Sequence, residues 1–307
     1  MRQSIAAGIV LFNPDNAERT IRCIDELQKQ VEKVYIYDNS TVQLSFELPS
    51  DIEYITQKEN MGLAHALNVI MQKASDDGYE WVITMDQDSI IPNGMVESFG
   101  NYVCRLDAGI ICPQVTDLRR KYEGVNEKKG IQEVEFCITS ASCTRIEAWR
   151  NIGGFDDWLF IDLIDNDFCK RMISSKYKII MLNDMVLNQE FGRIIPKNPK
   201  KQQFWIGMSR ILHNKNIAKF SYKKEVSPIR VYYTCRNIIY INKKLKKYGK
   251  TGYTNYNCKG YFGFLFAFVL PSCFRAKNKY DVIKKAINGT KDGVKKTVVE
   301  WSAPVRV

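Results

Sequence analysis

Two aspartates one residue apart follow a run of apolar and β-branched residues in WVITMDQDSI, residues 81–90. Such a run predicts a buried strand, so Asp86 and Asp88 would lie at its end. Two carboxylates at this spacing repel each other and lose hydration unless a positive charge lies between them. Mg²⁺ or Mn²⁺, which prefer oxygen ligands and leave positions open for phosphate, would supply that charge. A turn in which each aspartate caps a backbone N–H group would explain the pair equally well.

A second acidic group lies downstream in FIDLIDND, residues 160–167. Asp162 and Asp165 are three residues apart and would share one face of a helix. Either carboxylate, held close to an acceptor hydroxyl, can act as a general base. Acidic residues that complement the positive end of a helix dipole would give the same pattern, and the segment taken alone favours this simpler role.

Polar residues also follow an earlier apolar run and precede a predicted helix. Asp38 and Asn39 come after VYIY, where they can bind a base or ribose or form an Asx-turn. Asn60 and Gly62 precede the helical pattern of 62–78. Glycine permits a close backbone approach, and a helix N-terminus favours an anion. An ordinary entry from loop to helix would look the same.

Strand-like and helix-like segments alternate over the first 115 residues. The predicted strands are 4–12, 31–40, 52–57, 81–85 and 108–114, and the predicted helices are 16–30, 62–78 and 95–104. This order, with nearly continuous apolar strands, predicts an α/β fold whose mostly parallel sheet is flanked by helices. Ligands of such sheets bind at the carboxyl ends of the strands. We therefore expect Asp38, Asn39, Asp86 and Asp88 on one rim.

The remaining segments are less regular. Residues 116–132 predict a surface loop or hairpin, and 133–149 a strand that leads into a short helix. A further helix is expected within 153–172 and a strand at 177–182, and the longest helical pattern is 227–250.

The charge is divided unevenly along the chain. Residues 193–307 contain 26 Lys and Arg against 4 Asp and Glu, whereas residues 1–192 contain 19 against 30. The pattern predicts two parts, an acidic one at 1–192 and a basic, aromatic, helical C-terminal region at 193–307, which meet different partners.

Cysteine and histidine usage restricts the possible chemistry. The nine cysteines are scattered without a Cys-x-x-Cys pair, and the N-terminus lacks the pattern of a signal peptide, which together indicate reduced thiols in a cytoplasmic protein. With only two histidines, a histidine-rich metal site is excluded, and a bound metal would need carboxylates.

The apolar segment GYFGFLFAFVL, residues 260–270, is too short for a membrane span, which needs about 20 apolar residues. It predicts either a buried helix or an interfacial amphipathic one. Lysines at 243–250 and 275–285 favour contact with anionic lipid at a membrane surface.

In combination, these motifs resemble family 2 glycosyltransferases of the GT-A fold, most closely their bacterial rhamnosyltransferase branch. The resemblance rests on GIVLFNP (8–14), VYIYDNS (34–40), ENMGLAHALN (59–68), TMDQDSI (84–90), GGFDDWLFIDLIDNDFCKR (153–171) and YYTCRN (232–237). It covers nearly the whole chain in order, including IKKAINGTKDGV (283–294) near the end.

The resemblance implies roles for individual residues in binding a nucleotide sugar. Asp38 and Asn39 would meet the base or ribose, and Asp86 the ribose or the outer shell of a metal. Asp88 would bind Mg²⁺ or Mn²⁺ on the diphosphate. Asp165 occupies the position of the catalytic base, although Ile164 stands where many members have Glu, so Asp162 is a second choice.

The resemblance also implies an inverting transfer of a sugar to a saccharide or polyprenyl-diphosphate-linked acceptor, at the cytoplasmic face of the membrane. The donor would be dTDP-rhamnose, with UDP-glucose or UDP-galactose as the alternative. The basic region would meet the acceptor, with Arg230, Tyr233 and Arg236 as candidate contacts. QQFWIGMSR (202–210) lacks the order of the processive Gln-x-x-Arg-Trp motif, which favours a non-processive enzyme.

Two other classes explain part of the pattern. An Asp-x-Asp phosphatase would use the first aspartate as nucleophile, but such pairs usually lie on the first strand of the chain. A nucleic-acid-binding protein would explain the basic C-terminal region, but it would leave the acidic residues of the first part without a role. We therefore expect no nucleic-acid partner.

Overall fold

The computed structural model describes residues 4–119, 129–190, 192 and 194–304. The contacts divide them into two compact units. The first unit contains the described residues of 4–115 and 129–188, together with 301–304. The second contains 116–119 and the described residues from 189 to 300. Residues 120–128 of the predicted surface loop lie outside the described part.

A mixed sheet forms the centre of the first unit. Its strands are β1 (Ile5–Leu11), β2 (Val34–Asp38), β3 (Glu53–Thr56), β4 (Trp81–Asp86), β5 (Ala108–Thr116), β6 (Ile131–Val134), β7 (Ser142–Arg145) and β8 (Lys178–Asn188). Their order is β3-β2-β1-β4-β7-β5-β8-β6. The first four in this order pair in parallel, whereas β7 is antiparallel to both β4 and β5, and β6 to β8. The predicted α/β architecture is confirmed.

The helices of the first unit are α1 (Ala17–Gln28), α2 (Leu63–Asp76), α3 (Met95–Gly100), α4 (Ile146–Asn151) and α5 (Ile164–Ser174). The side chain of Asn16 caps α1, since its Oδ1 accepts a hydrogen bond from the Arg19 N–H at 3.0 Å. Helix α3 is shorter than the pattern of 95–104 predicts. Fully buried Ile9, Ile24 and Ile83 belong to the core between the sheet and these helices.

The second unit is mainly helical. It contains α6 (Pro199–Ile211), α7 (Lys215–Ala218), α8 (Pro228–Lys244), α9 (Thr251–Thr254), α10 (Tyr261–Phe264), α11 (Leu270–Arg275) and α12 (Lys279–Lys295), with a π-helical turn at Leu265–Val269 between α10 and α11. Short 3₁₀ turns lie at Lys219–Ser221 and Lys246–Tyr248, and β9 (Ile194–Pro196) pairs antiparallel with β10 (Tyr222–Lys224).

Two glycines let α12 lie directly on the backbone of α8. A Cβ atom at Gly289 would be 2.2 Å from the carbonyl oxygen of Tyr232, and one at Gly293 would be 2.6 Å from that of Arg236. The Tyr232 hydroxyl also donates to Asp292 Oδ2 at 2.8 Å.

Over the part of the chain described here, none of the helices has the length and apolarity needed to cross a membrane.

A buried ion pair fixes α5 against the glycine turn that precedes it. Arg171, only 2% exposed, contacts Asp167 Oδ2 through Nη2 at 2.6 Å and through Nε at 2.8 Å. Its Nη1 donates to the carbonyl oxygens of Ile152 at 2.9 Å and Gly154 at 2.7 Å. Arg171 therefore supports the acidic site by positioning the helix that carries it.

We predict that Arg171→Leu lowers the free energy of unfolding by about 3–5 kcal/mol, because the charge of Asp167 would stay buried without its partner. Urea denaturation of the full chain measures this change. Arg22→Leu, at an exposed arginine of α1, is the control and should shift stability by less than about 0.5 kcal/mol. A loss below 1 kcal/mol for Arg171→Leu would contradict the role assigned to the pair.

Candidate active site

The register of the parallel strands places two aspartates on either side of the end of β1. Asp38 at the end of β2 is level with Leu11, and Asp86 at the end of β4 is level with Val10. Because neighbouring strands are about 4.8 Å apart, the backbones of the two aspartates are roughly 10 Å apart across β1. The structure therefore brings the polar residues after β2 and β4 to one rim of the sheet.

Asp38 and Asn39 are buried and engaged in hydrogen bonds within the rim. Asp38 Oδ1 accepts from the Ser40 N–H at 2.8 Å, which is an Asx-turn, and its Oδ2 accepts from the Tyr54 hydroxyl at 2.7 Å. Asn39 Nδ2 donates to the Gly62 carbonyl at 3.1 Å, and its Oδ1 accepts from the Met61 N–H at 3.0 Å. Asn39 thus holds the loop before α2 against the end of β2.

The loop before α2 is also tied to the segment that leads to Asp165. Asn60 Oδ1 accepts from the Gly62 N–H at 2.9 Å, and the Leu63 N–H donates to the Phe160 carbonyl at 2.8 Å. Gly62 has φ of +91°, and a Cβ atom there would be 2.7 Å from the Phe160 ring. The close approach that this glycine permits is therefore to Phe160, whose ring and carbonyl oxygen would both be within 3.0 Å of a Cβ atom.

Two residues whose roles the sequence did not reveal orient the Asp-x-Asp turn. Gln87 Oε1 accepts from the Phe12 N–H at 2.8 Å, and its Nε2 donates to the Phe12 carbonyl at 3.2 Å. The side chain therefore continues the backbone pairing of β1 by one residue. Arg19 Nε of α1 donates to the carbonyl oxygen of Asp88. In the sequence, the sign of this role is that Gln87 lies between Asp86 and Asp88, where the strand ends.

The two carboxylates of this turn create a negative field around α1. Burial raises the pKa of Cys23 to about 12, the charges of Asp86 and Asp88 add to the rise, and Arg19 opposes it. The Asp86 N–H donates to Ser140 Oγ at 3.2 Å, which ties the turn to the loop before β7. Arg19 therefore supplies a positive charge that opposes the effect of the two carboxylates on Cys23.

The acidic segment departs from the predicted helix at its start. Asp162 and Leu163 have φ of +67° and +65°, and α5 begins only at Ile164. Asp162 therefore lies on the loop before the helix. The prediction that Asp162 and Asp165 share one face of a helix is wrong. Two consecutive left-handed residues without glycine leave no recognisable signal in the sequence.

Asp165 lies in the first turn of α5 and is partly buried. Burial raises the pKa of its carboxyl group to about 7, and the charges of Asp162 and Asp86 add to this rise. The Asn166 N–H, which donates to Asp165 Oδ1 at 3.0 Å, opposes it. A small cavity beside the carboxyl group is lined by Thr139, Ser142 and other residues. A carboxylate with this pKa can accept a proton near neutral pH.

The candidate acceptor residues lie on α8 in the second unit. Arg230 is exposed in the first turn. Arg236 is buried, donates from Nε to Asn237 Oδ1 at 2.9 Å, and places its guanidinium 4.7 Å from the centre of the Tyr233 ring. Tyr233 and Arg236 therefore contribute to packing, and Arg230 is the exposed member of the three.

We predict that Asp165→Asn stabilises the fold at high pH and not at low pH. Between the ordinary pKa of 3.8 and about 7, the folded chain binds more protons at this site than the unfolded chain, so wild-type stability falls as pH rises through this window. Thermal unfolding in EDTA should show a Tm at least about 2 °C above wild type at pH 8 and an equal Tm at pH 4.

The control is Glu47→Gln, which removes an exposed carboxylate from the loop between β2 and β3. It should leave the Tm difference from wild type independent of pH. A Tm difference for Asp165→Asn that is the same at pH 4 and pH 8 would show that burial does not perturb this carboxyl group.

Comparison with known proteins gives a consistent result. The family model described as glycosyl transferase family 2 matches residues 8–169. The chain is 26% identical to the dTDP-rhamnosyl transferase RfbF of Shigella flexneri over 262 residues. This alignment covers 80% of this chain and 81% of that protein. The structure of S. aureus TarS 1–349 aligns with a TM-score of 0.51 and 12% identity over 94% of this chain and 89% of that chain.

A second solved structure, the mannosyltransferase PcManGT from Pyrobaculum calidifontis in complex with GDP-Man and Mn²⁺, aligns with a TM-score of 0.48 and 13% identity, over 96% of this chain and 88% of that chain. The mixed sheet and the TarS comparison agree with the GT-A fold. The family model matches more than half of the chain, and the motifs that define the rim fall inside the matched range. The chain therefore belongs to glycosyl transferase family 2 and is rhamnosyltransferase-like in sequence.

Proposed function

We propose that this chain catalyses the inverting transfer of L-rhamnose from dTDP-rhamnose to a hydroxyl group of a saccharide acceptor, in the synthesis of a cell-surface polysaccharide. The observation that carries the proposal is Asp165, whose pKa burial raises to about 7, with the charges of Asp162 and of Asp86 on the rim adding to the rise. Family membership supports sugar transfer over the phosphatase and nucleic-acid-binding alternatives. The relative that is a dTDP-rhamnosyl transferase supports this donor.

The donor would bind at the rim formed by the ends of β1, β2 and β4. Asp38 and Asn39 would shape the wall that meets the base and ribose, since their side chains hold the backbone of Ser40 and of the loop before α2. Asn60 and Gly62 would complete this wall. Asp86 would face the ribose, across the end of β1 from Asp38.

The donor set at the rim fits a divalent cation shared with a diphosphate. Asp86 and Asp88 offer hard oxygen ligands, and in the described ranges no group of three or more His, Cys, Asp or Glu residues could hold a metal by itself. Mg²⁺ commonly binds through one or two carboxylates plus substrate phosphates, and Mn²⁺ accepts the same ligands. Asp88 would hold the ion, with Asp86 beside it. When bound, it would neutralise charge on the leaving diphosphate.

Asp165 would act as the general base. It would take the proton from the acceptor hydroxyl as that oxygen forms a bond to the anomeric carbon, and the bond from this carbon to the diphosphate oxygen would break on the opposite face. One displacement inverts the configuration and needs no covalent intermediate on the protein. Asp162, on the loop before α5, is the second candidate for the base.

The acceptor would be a saccharide, carried on a polyprenyl diphosphate at the cytoplasmic face of the membrane. The 26 Lys and Arg against 4 Asp and Glu in residues 193–307 support an anionic partner for this region. Exposed Arg230 is the candidate contact, with Tyr233 and Arg236 behind it in the packing of α8. Residues 1–192 would then be the catalytic core, and the protein would be peripheral to the membrane.

We predict different defects for two substitutions at the rim. With Mn²⁺, Asp165→Asn should bind dTDP-rhamnose within about threefold of wild type but release dTDP at least about 100-fold more slowly, because only the proton acceptor is lost. Asp88→Asn should weaken Mn²⁺-dependent donor binding at least about tenfold. Calorimetry measures binding, and nucleotide release measures turnover.

Three measurements distinguish the alternatives: nucleotide release, thermal shift and phosphate release. Wild-type dTDP release by Asp165→Asn would contradict the base assignment, and Asp162→Asn would then be tested. A thermal shift with UDP-glucose or UDP-galactose and none with dTDP-rhamnose would replace the rhamnosyl donor by a UDP-hexose. Phosphate release in place of dTDP release would exclude sugar transfer.

A further inference from the structure

The helical segment from Tyr261 to Arg275 in the second unit is apolar on two opposite sides. On its inner side Phe264 is fully buried, and the ring of Tyr256 lies 5.0 Å from that of Phe264 and 5.1 Å from that of Phe268. Buried Ser272 continues this side. The inner side therefore supplies the packing that holds the segment in the second unit.

The outer side carries four large apolar residues at four-residue spacing. Phe262 is 75% exposed, Phe266 58%, Leu270 44% and Phe274 71%. The rings of Phe262 and Phe266 are neighbours, with centroids 5.2 Å apart. We call these four residues the phenylalanine stripe. A helix that is apolar all round is typical of a protein core or of a membrane environment, and here one side is exposed in the described part of the chain.

The π-helical turn at Leu265–Val269 keeps the stripe straight. In a regular α-helix, residues four apart are rotated by about 40° per step, so four such residues would wind around the axis. A π-turn contains more residues per turn, and a step of four residues across it rotates in the opposite sense. Phe266 and Leu270 span this turn. The outer side thus presents one continuous apolar line.

The sequence around the stripe is strongly basic. Residues 226–280 contain no Asp or Glu. Lys259, Lys277 and Lys279 flank the segment and are exposed, and Lys277 lies 3.8 Å from Glu225. Positive charge beside an exposed apolar line complements a surface that offers both hydrocarbon and anionic groups.

We propose that the phenylalanine stripe inserts into the interfacial layer of a bilayer that contains anionic phospholipids, with the flanking lysines on the headgroups. The inference rests on the proposed action at a membrane surface and identifies the element that makes the contact. A second copy of this chain is the less favoured occupant, because a twofold interface through this helix would bring the same positive charges together.

Exposed apolar residues continue on the next helix. On α12, Tyr280, Ile283 and Ile287 are exposed, while Val282 and Ala286 are buried. The buried face of this helix packs against α8, since Gly289 lies on the backbone of that helix. Lys284 is exposed on the same helix. This helix therefore offers a second, weaker contact of the same chemistry.

The test is sedimentation of the full chain with vesicles of phosphatidylcholine alone or with 30% phosphatidylglycerol. Wild type should bind the anionic vesicles, more weakly as salt rises. Combined Phe262→Ser, Phe266→Ser and Phe274→Ser should weaken this binding at least about tenfold, because each exposed ring loses its burial in the interface. The matched control, Leu106→Ser with Val299→Ser, changes residues 77% and 87% exposed elsewhere and should bind as wild type does.

A second variant reports insertion without loss of apolar surface. In Phe266→Trp, the fluorescence of the new tryptophan, taken as the difference from wild type, should shift to the blue with anionic vesicles and be quenched by brominated acyl chains. Sedimentation velocity without lipid should give the same oligomeric state for wild type and the triple variant.

The outcomes separate this inference from the proposed function. Failure of wild type to bind anionic vesicles, or equal binding by the triple variant, would overturn the inference, as would a change of oligomeric state in that variant. Release of dTDP from dTDP-rhamnose in solution should be the same in the triple variant and wild type. Vesicle binding by a wild type that releases no dTDP would leave the inference intact and overturn the proposed reaction.

Discussion

The parallel pairing of β1 with β2 on one side and β4 on the other is the constraint on which the site depends. This register sets Asp38 level with Leu11 and Asp86 level with Val10, so both side chains emerge at the same edge of the sheet. A shift of one residue would turn each side chain to the opposite face. The pairing of Gln87 with the backbone of Phe12 extends this register past the end of β1 and orients the turn that carries Asp88.

The same rim concentrates negative charge that the fold must accommodate. Asp86 and Asp162 add to the raised pKa of Asp165, and Asp86 and Asp88 add to that of Cys23. Such clustering opposes folding when the carboxyl groups are ionised, and it is typical of sites that bind a cation or move a proton. The buried pair of Asp167 and Arg171 fixes the helix that holds Asp165 in this field.

The sequence predicted what depends on local pattern. The strands that carry Asp38 and Asp86 lie where the apolar runs predict them, and the helix that carries Asp165 overlaps the predicted helix. It did not predict contacts between distant segments, such as Gln87 with Phe12. Nor did periodicity tell which side of 260–270 is covered, because both sides are apolar and only packing distinguishes them. The left-handed backbone at Asp162 likewise has no local signal.

The central claim is that the rim at the end of β1 holds a nucleoside diphosphate through a cation at Asp88. A crystal structure of the full chain with dTDP and Mn²⁺, with the metal located by its anomalous signal, tests it most directly. We predict a Mn²⁺ peak about 2.1 Å from a carboxylate oxygen of Asp88 and bound to the diphosphate, with the nucleoside between Asp38 and Asp86. A nucleotide bound elsewhere, or a metal that does not contact Asp88, would contradict it.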